Sequence, residues 1–268
     1  MNLYVGCAGW EYKDWIGPFY PKNLEQHKHL DYYAKIFDYT EINSPFYNLP
    51  SQDIIYKWLN QVDNDFKYTI KVWKEITHNI HREDLDYYIY NFFEQFKPLY
   101  PKIENFLFQF PPWFKYSEKN VNRLTYLFDL IPNDLNYVVE FRDNSWFKDQ
   151  ILSTLIQTNN VKNVILATTY LKGVSSYYYK DQSSYYIRLI GDRSITEFDR
   201  VQRTFDDEIN EIIKKVIELK DLGKIKEIFI IVNNHYTGFA PETVNRIKKD
   251  FNLPFKKFNY QKNLLDFI

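Results

Sequence analysis

Short β-rich runs alternate with longer helical patterns along the whole chain, and this rhythm restricts the fold more than any other feature. Residues 3–9 form the first run, closed by Gly9. In residues 29–37, Leu30, Tyr33, Ala34 and Phe37 recur at i, i+3, i+4 and i+7, the period of an amphipathic helix. A second strand at 39–43 precedes Ser51, a good N-cap for a helix to Val62 whose Ile55, Trp58, Leu59 and Val62 share a face. Further strands are expected at 66–72, 105–109, 137–141, 163–167, 184–190 and 227–232. The helices between them are expected at 84–97, 117–131, 148–158, 200–222 and 241–250, the last with Pro241 in its first turn. Residues 168–182 show no clear period and read as a long loop. Eight such units in one chain of 268 residues predict a closed (β/α)8 barrel of the TIM type, α/β in class, forming a single domain over residues 1–268.

Composition narrows the setting. The chain has 34 Lys and Arg against 35 Asp and Glu, so it lacks the basic footprint of a duplex-binding protein. One Cys excludes a disulfide framework, and no apolar run approaches the ~20 residues of a membrane span. The N-terminus has no basic start followed by an apolar core, so a soluble cytoplasmic protein is expected, with no membrane partner.

In a barrel of this kind the reactive face is built at the C-terminal ends of the strands. Glu41 and Asn43, Lys71, Gln109, Glu140 and Arg142, Arg188, and Asn233 with Asn234 all fall at those ends. A period of two puts Glu41 and Asn43 on one face, and likewise Glu140 and Arg142, while Ile42 and Phe141 face the helices. The plain alternative is a plug of ion pairs, in which Lys71, Arg142 and Arg188 do no more than neutralise Glu41 and Glu140. Three cations, two carboxylates and four amides at one end also suit a pocket for a polar, anionic ligand.

The motifs resemble the YecE-like family, domain of unknown function 72. Its opening block is similar to Gly6-Cys7-Ala8-Gly9-Trp10 with Tyr12, Trp15 and Gly17-Pro18-Phe19-Tyr20-Pro21. Further blocks resemble Glu41-Ile42-Asn43-Ser44-Pro45-Phe46-Tyr47, Lys71 with Thr77-His78, and Gln109-Phe110-Pro111-Pro112. The remainder resemble Glu140-Phe141-Arg142 with Ser145-Trp146-Phe147, Arg188-Leu189 with Gly191, and Asn233-Asn234 with Gly238-Phe239-Ala240-Pro241. The resemblance implies a TIM-type barrel and brings no established reaction. Two departures stand out: the family's usual His after Arg-Leu is Ile190, and its frequent Asp at the end of the sixth strand gives way to Ala167-Thr168-Thr169.

Several chemistries fit these residues. A metal site needs three or more converging ligands, and only His78 and His235 are placed to join Glu41 and Glu140. No cofactor is called for, with a divalent metal left open. Lys71 in an apolar-walled barrel is a candidate Schiff-base nucleophile, against which a phosphate-binding role is weighed. Cys7 sits mid-strand and reads as a small core residue. A glycoside hydrolase would place Glu41 and Glu140 across a cleft, with Trp10, Tyr12, Tyr47, Trp113 and Trp146 stacking on sugar rings. A phosphoester hydrolase better uses the three cations: Glu140 would be the base towards water, with Glu41 or His78 as the acid. The favoured expectation is such a hydrolase acting on an anionic small molecule or nucleotide. Its catalytic set is Glu41, Lys71, His78 and Glu140. Trp10, Tyr12, Asn43, Tyr47, Gln109, Arg142, Trp146, Arg188, Asn233 and Asn234 would contact substrate. A non-catalytic ligand-binding barrel is the remaining alternative.

Overall fold

The computed structural model describes residues 1–157 and 163–258. Its eight strands are β1 (Asn2–Ala8), β2 (Tyr39–Ile42), β3 (Lys67–Lys71), β4 (Ile103–Gln109), β5 (Tyr137–Glu140), β6 (Val164–Tyr170), β7 (Ser184–Leu189) and β8 (Glu227–Val232). They pair in chain order, all parallel, and β1 against β8 closes the ring. The expected TIM-type (β/α)8 barrel is therefore the fold.

The principal helices packed around the ring are α1 (His29–Ile36), α2 (Gln52–Asn60), α3 (Lys74–Thr77), α4 (Leu85–Phe96), α5 (Glu118–Leu130), α6 (Asp149–Gln157), α7 (Asp206–Asp221), α8 (Asn234–Thr237) and α9 (Ala240–Asp250). Local chemistry sets their ends. The Ser51 and Ser117 hydroxyls accept from the amides of Ile54 and Asn120, capping α2 and α5. The α2 face then buries Ile55 and Trp58 against the sheet. Residue 158, the expected end of the helix before the sixth strand, lies outside the described residues.

Most boundaries shift by a residue or two from the sequence expectation, and two differ by more. The sixth strand runs on to Tyr170, because Thr168, Thr169 and Tyr170 pair with Ile187, Arg188 and Leu189. Thr and Tyr are good strand residues, and the missing alternation that suggested a loop reflects burial on both faces. The seventh helix begins at Asp206, not residue 200. Phe205 takes a left-handed backbone (φ 44°), and the amides of Gln202 and Arg203 donate to the Thr237 carbonyl instead of starting a helix.

Two apolar regions form the core. The larger lies between strands and helices and contains most of the aromatic residues. The smaller fills the barrel interior with Ala8, Tyr39, Leu107, Val138, Ala167, Tyr186, Phe229 and Ile231. Tyr4 stacks on Phe229 with ring centres 5.0 Å apart, sealing the N-terminal end. The inward positions above this plug are Glu41, Thr69, Lys71, Gln109, Glu140, Thr169 and Arg188, so the interior changes from apolar to charged within one side-chain layer. Gly6 makes the tight β1–β2 approach possible, since a Cβ there would sit 2.1 Å from the Tyr39 carbonyl oxygen. Gly6→Ala is expected to cost about 3 kcal/mol or more, read as a lower urea midpoint. An unchanged midpoint would show that β1 and β2 can separate to accept the methyl group.

Candidate functional site

The charged layer is organised by one guanidinium. Arg188, at the end of β7, donates from Nε to Glu41 Oε2 (2.9 Å) and from Nη2 to Glu41 Oε1 (2.6 Å). Its Nη1 donates to Glu140 Oε2. Glu41 also accepts from the Tyr186 hydroxyl (2.9 Å) and the Asn43 amide (3.0 Å). Glu140 accepts from Thr169 Oγ1 (3.0 Å), and Arg142 Nε lies 2.8 Å away as an ion-pair partner off the line of a hydrogen bond. Both carboxylates are fully buried, and Arg188 is 2% exposed.

The charges fix one another's protonation. Burial alone would raise the Glu140 pKa, but Arg142, Arg188 and Lys71 together overcome it and hold the carboxyl below the usual carboxylate range. Burial would likewise favour neutral Arg188, and Glu140 and Glu41 outweigh it, so this guanidinium stays protonated.

Lys71 stands apart from this network. It ends β3 on the same inward face, yet among the described residues no carboxylate lies within ion-pair distance of it. Its Nζ rests 3.8 Å from the centre of the Phe46 ring. Burial, helped by the positive charge of Arg188, lowers its pKa to about 7. Its neighbour His78 meets the other side of the contact, with ring centres 5.1 Å from Phe46, and accepts from or donates to Thr77 Oγ1 at 3.0 Å. Burial and the adjacent Lys71 push the His78 pKa down, which keeps the imidazole neutral at neutral pH.

Above the charged layer lies a cavity of about 970 Å³. Of the residues expected to contact substrate, Tyr12, Asn43, Tyr47, Gln109, Arg142, Arg188 and Asn233 line it, as do Lys71 and His78. Glu41 and Glu140 lie beneath its floor. Three expected contacts are corrected. Trp146 is fully buried, stacked 4.3 Å from Phe141, and donates to the Phe114 carbonyl (2.7 Å), so it is a wedge between loops. Trp10 is buried edge-on against Trp58. Asn234 is buried too, its side-chain oxygen accepting from the Ala240 amide and the Trp15 indole, which joins the first loop to α9.

The catalytic expectations for the two glutamates also need correction. Glu41 and Glu140 do not face each other across a substrate, since Arg188 occupies the space between them. Glu140 is fully buried, does not line the cavity and is held by Arg188, Thr169 and Arg142, so it is poorly placed as a base towards water there. The sequence reading also missed Lys172 and Arg193, which line the wall from the loops after β6 and β7. Their signal was position alone: each follows closely on a strand's C-terminal end. Asp192 lines the wall as well, paired at 2.8 Å with Arg203. Among the described residues no three His, Cys, Asp or Glu side chains converge as a metal-binding group, and no helix is long and apolar enough to cross a membrane.

Two measurements follow. Arg188→Met leaves two buried carboxylates short of a partner and should destabilise the fold by about 3–5 kcal/mol, whereas adding Glu41→Gln and Glu140→Gln should restore most of that loss. No recovery in the triple variant would mean that Arg188 acts through packing. Lys71 has a pKa near 7 folded and 10.5 when free. Its burial therefore opposes folding most below pH 7, and stability is regained as pH rises towards 10.5. Lys71→Met should raise the melting temperature by roughly 5 °C at pH 6 and by less at pH 9. An equal gain at both pH values would contradict a depressed pKa.

The comparisons with known proteins bear on the family and the fold. The model of a protein family of unknown function, DUF72, matches residues 4–265. UPF0759 protein YunF of Bacillus subtilis is 26% identical over 264 residues, covering 90% of this chain and 91% of that protein. UPF0759 protein YecE of Escherichia coli is 26% identical over 168 residues, and the match spans 61% of this chain and only 58% of that protein. Among solved structures, a DUF72 family protein of Thermotoga maritima superposes with a TM-score of 0.78 at 25% identity, over 94% of this chain and 100% of that one. A DUF72 family protein of Enterococcus faecalis superposes with a TM-score of 0.76 at 21% identity, over 97% and 99%. The chain belongs to the YecE-like DUF72 family, and it shares the barrel of that family's solved structures.

Proposed function

We propose that this protein is an enzyme acting on a small phosphate-bearing substrate in the barrel mouth, with Lys71 as the group that exchanges a proton with it. The observation that carries this reading is a charge imbalance. Arg188 and Arg142 balance Glu41 and Glu140, and Asp192 is paired with Arg203, which leaves Lys71, Lys172 and Arg193 facing the same cavity. A cation-lined concavity attracts an anion with several acceptor oxygens, and phosphate offers three. The volume of about 970 Å³ is ample for a small phosphate ester.

A hydrolase using Glu140 is not the form of this chemistry we favour, because that carboxylate is buried below the cavity and paired with Arg188 and Arg142. Lys71 supplies what Glu140 lacks: an amine whose pKa is lowered to about 7, on the wall of the cavity itself. Preorganised cations around it would stabilise charge that grows on the substrate during the reaction. A phosphorylated small molecule and one buried free thiol, Cys7, suit a cytoplasmic setting.

Inorganic phosphate provides the test. Its negative charge pulls the Lys71 pKa up, so binding takes up a proton once the pH exceeds 7. Titration calorimetry should show affinity falling on the order of tenfold between pH 7 and pH 8.5. Lys71→Met should bind more weakly and lose this pH dependence. Affinity that is flat with pH, and equal in the variant, would remove Lys71 from the site. Binding of phosphate and its esters without turnover of any ester would favour the ligand-binding barrel.

A further inference from the structure

We propose that Lys71 is a covalent nucleophile, and that the substrate is a phosphorylated aldehyde or ketone which it captures as an iminium ion. The inference rests on the anion-site reading above and extends it from a binding class to a reactive group. It begins from what surrounds the amine. The two carboxylates that could hold an ammonium in place, Glu41 and Glu140, are committed to Arg188 and Arg142. What Lys71 meets instead is the Phe46 ring face at 3.8 Å and open cavity. A lysine kept only for phosphate binding gains from a permanent charge. One with no carboxylate in ion-pair distance, desolvated and set beside a buried guanidinium, is pushed towards the neutral amine against the weaker pull of Glu140, Glu41 and the Phe46 ring, and the neutral amine is the form that attacks carbonyl carbon.

The position adds a second argument. Lys71 is the last residue of β3, held in register with Leu107 of β4, so its backbone is fixed by the barrel and not by a loop. Lys172 and Arg193 reach the same cavity from the loops after β6 and β7, on the opposite side of the ring from β3. A substrate with its phosphate at those loops directs its other end across the mouth towards Lys71. His78 shares the Phe46 contact and is neutral, so it can accept and return a proton beside the amine.

The chemistry balances without any added oxidant or reductant. The neutral Nζ adds to the carbonyl carbon, a C–N bond forms, and the carbonyl π pair moves to oxygen, which takes a proton. The carbinolamine then expels its hydroxyl group as water with a second proton. The protons that leave nitrogen on the way pass through the cavity water and His78. The net change is one ammonium and one carbonyl converted into one iminium and one water. The iminium cation lies in the same cavity as the substrate's own phosphate, and it draws electrons from the adjacent carbon, as proton removal or carbon–carbon cleavage next to a carbonyl requires.

The test is reductive trapping. The intact protein is incubated with glyceraldehyde 3-phosphate, dihydroxyacetone phosphate or unphosphorylated glyceraldehyde in the presence of sodium cyanoborohydride, then mapped by peptide mass spectrometry. The expected result is one dominant adduct on Lys71, formed at least tenfold faster with a phosphorylated compound than with glyceraldehyde and suppressed by inorganic phosphate. It should be absent in Lys71→Arg, which keeps the charge without a nucleophilic amine. Adducts spread over exposed lysines with none favoured at Lys71, in a protein that still binds phosphate, would overturn the iminium and leave the anion site standing. A Lys71 adduct formed equally fast with glyceraldehyde and indifferent to phosphate would uphold the nucleophile and overturn the anion-site reading.

Discussion

The bidentate contact of Arg188 with Glu41, extended to Glu140, is the interaction on which the rest of the barrel mouth depends. Through one guanidinium it ties β7 to β2 and β5, strands far apart around the ring, and it does so where the apolar interior ends. Three ionised groups at full burial are tolerable only because nearly every polar atom is matched: Tyr186, Asn43 and Thr169 occupy carboxylate lone pairs that Arg188 leaves open. Such a layer gives little net stability compared with a hydrophobic one. Its effect is to hold a flat, rigid, charged floor at a fixed height in the barrel.

That floor determines what Lys71 can be. Were Arg188 absent, the glutamates would be left to the remaining cations of the mouth, Lys71 among them, and an ion pair there would lock the amine as an ammonium. Because Arg188 takes both carboxylates and Arg142 pairs with Glu140, the lysine has no ion-pair partner among the described residues, and its pKa is depressed by burial and by the guanidinium beside it. The two groups are thus coupled through what they do not share. The same pairing leaves Glu140 poorly placed for acid–base work, so stability of the floor and reactivity above it belong to different residues.

The sequence made the barrel and the composition of the charged layer legible, for a shared reason. A strand's period of two is independent of tertiary detail, so Glu41 and Asn43, or Glu140 and Arg142, could be set on one face from spacing alone. Depth along the barrel axis was not legible in the same way. Glu140 and Arg142 differ by two residues, yet one is sealed under the floor and the other lines the cavity. The ion-pair plug and the ligand pocket looked like alternatives in the sequence, and both are present, one above the other. Loop aromatics were the weakest inference. Tyr47 is largely exposed at the mouth, whereas Trp146, in a similar position after its strand, turns inward because Phe110, Phe114 and Phe141 form a stack that it completes. Nothing within Ser145-Trp146-Phe147 distinguishes the two cases; Phe110 and Phe114 come from another loop.

The departures from the family pattern act on the same balance of charge. Thr169 occupies an inward position near the end of β6, within the stretch Ala167-Thr168-Thr169 where the resemblance leads one to expect a frequent Asp, and it donates a hydrogen bond to Glu140. A carboxylate at that position would add a third anion to two guanidinium groups, and Lys71 would be the cation left to neutralise it. With Thr169 the floor is neutral without Lys71, and the amine is released from ion pairing. Ile190, in place of the usual His, lines the wall with a branched hydrocarbon and removes an ionisable side chain from beside Arg188. Both changes move in one direction: fewer titratable groups around the cavity, a drier wall, and a greater share of any proton transfer falling on Lys71 and His78.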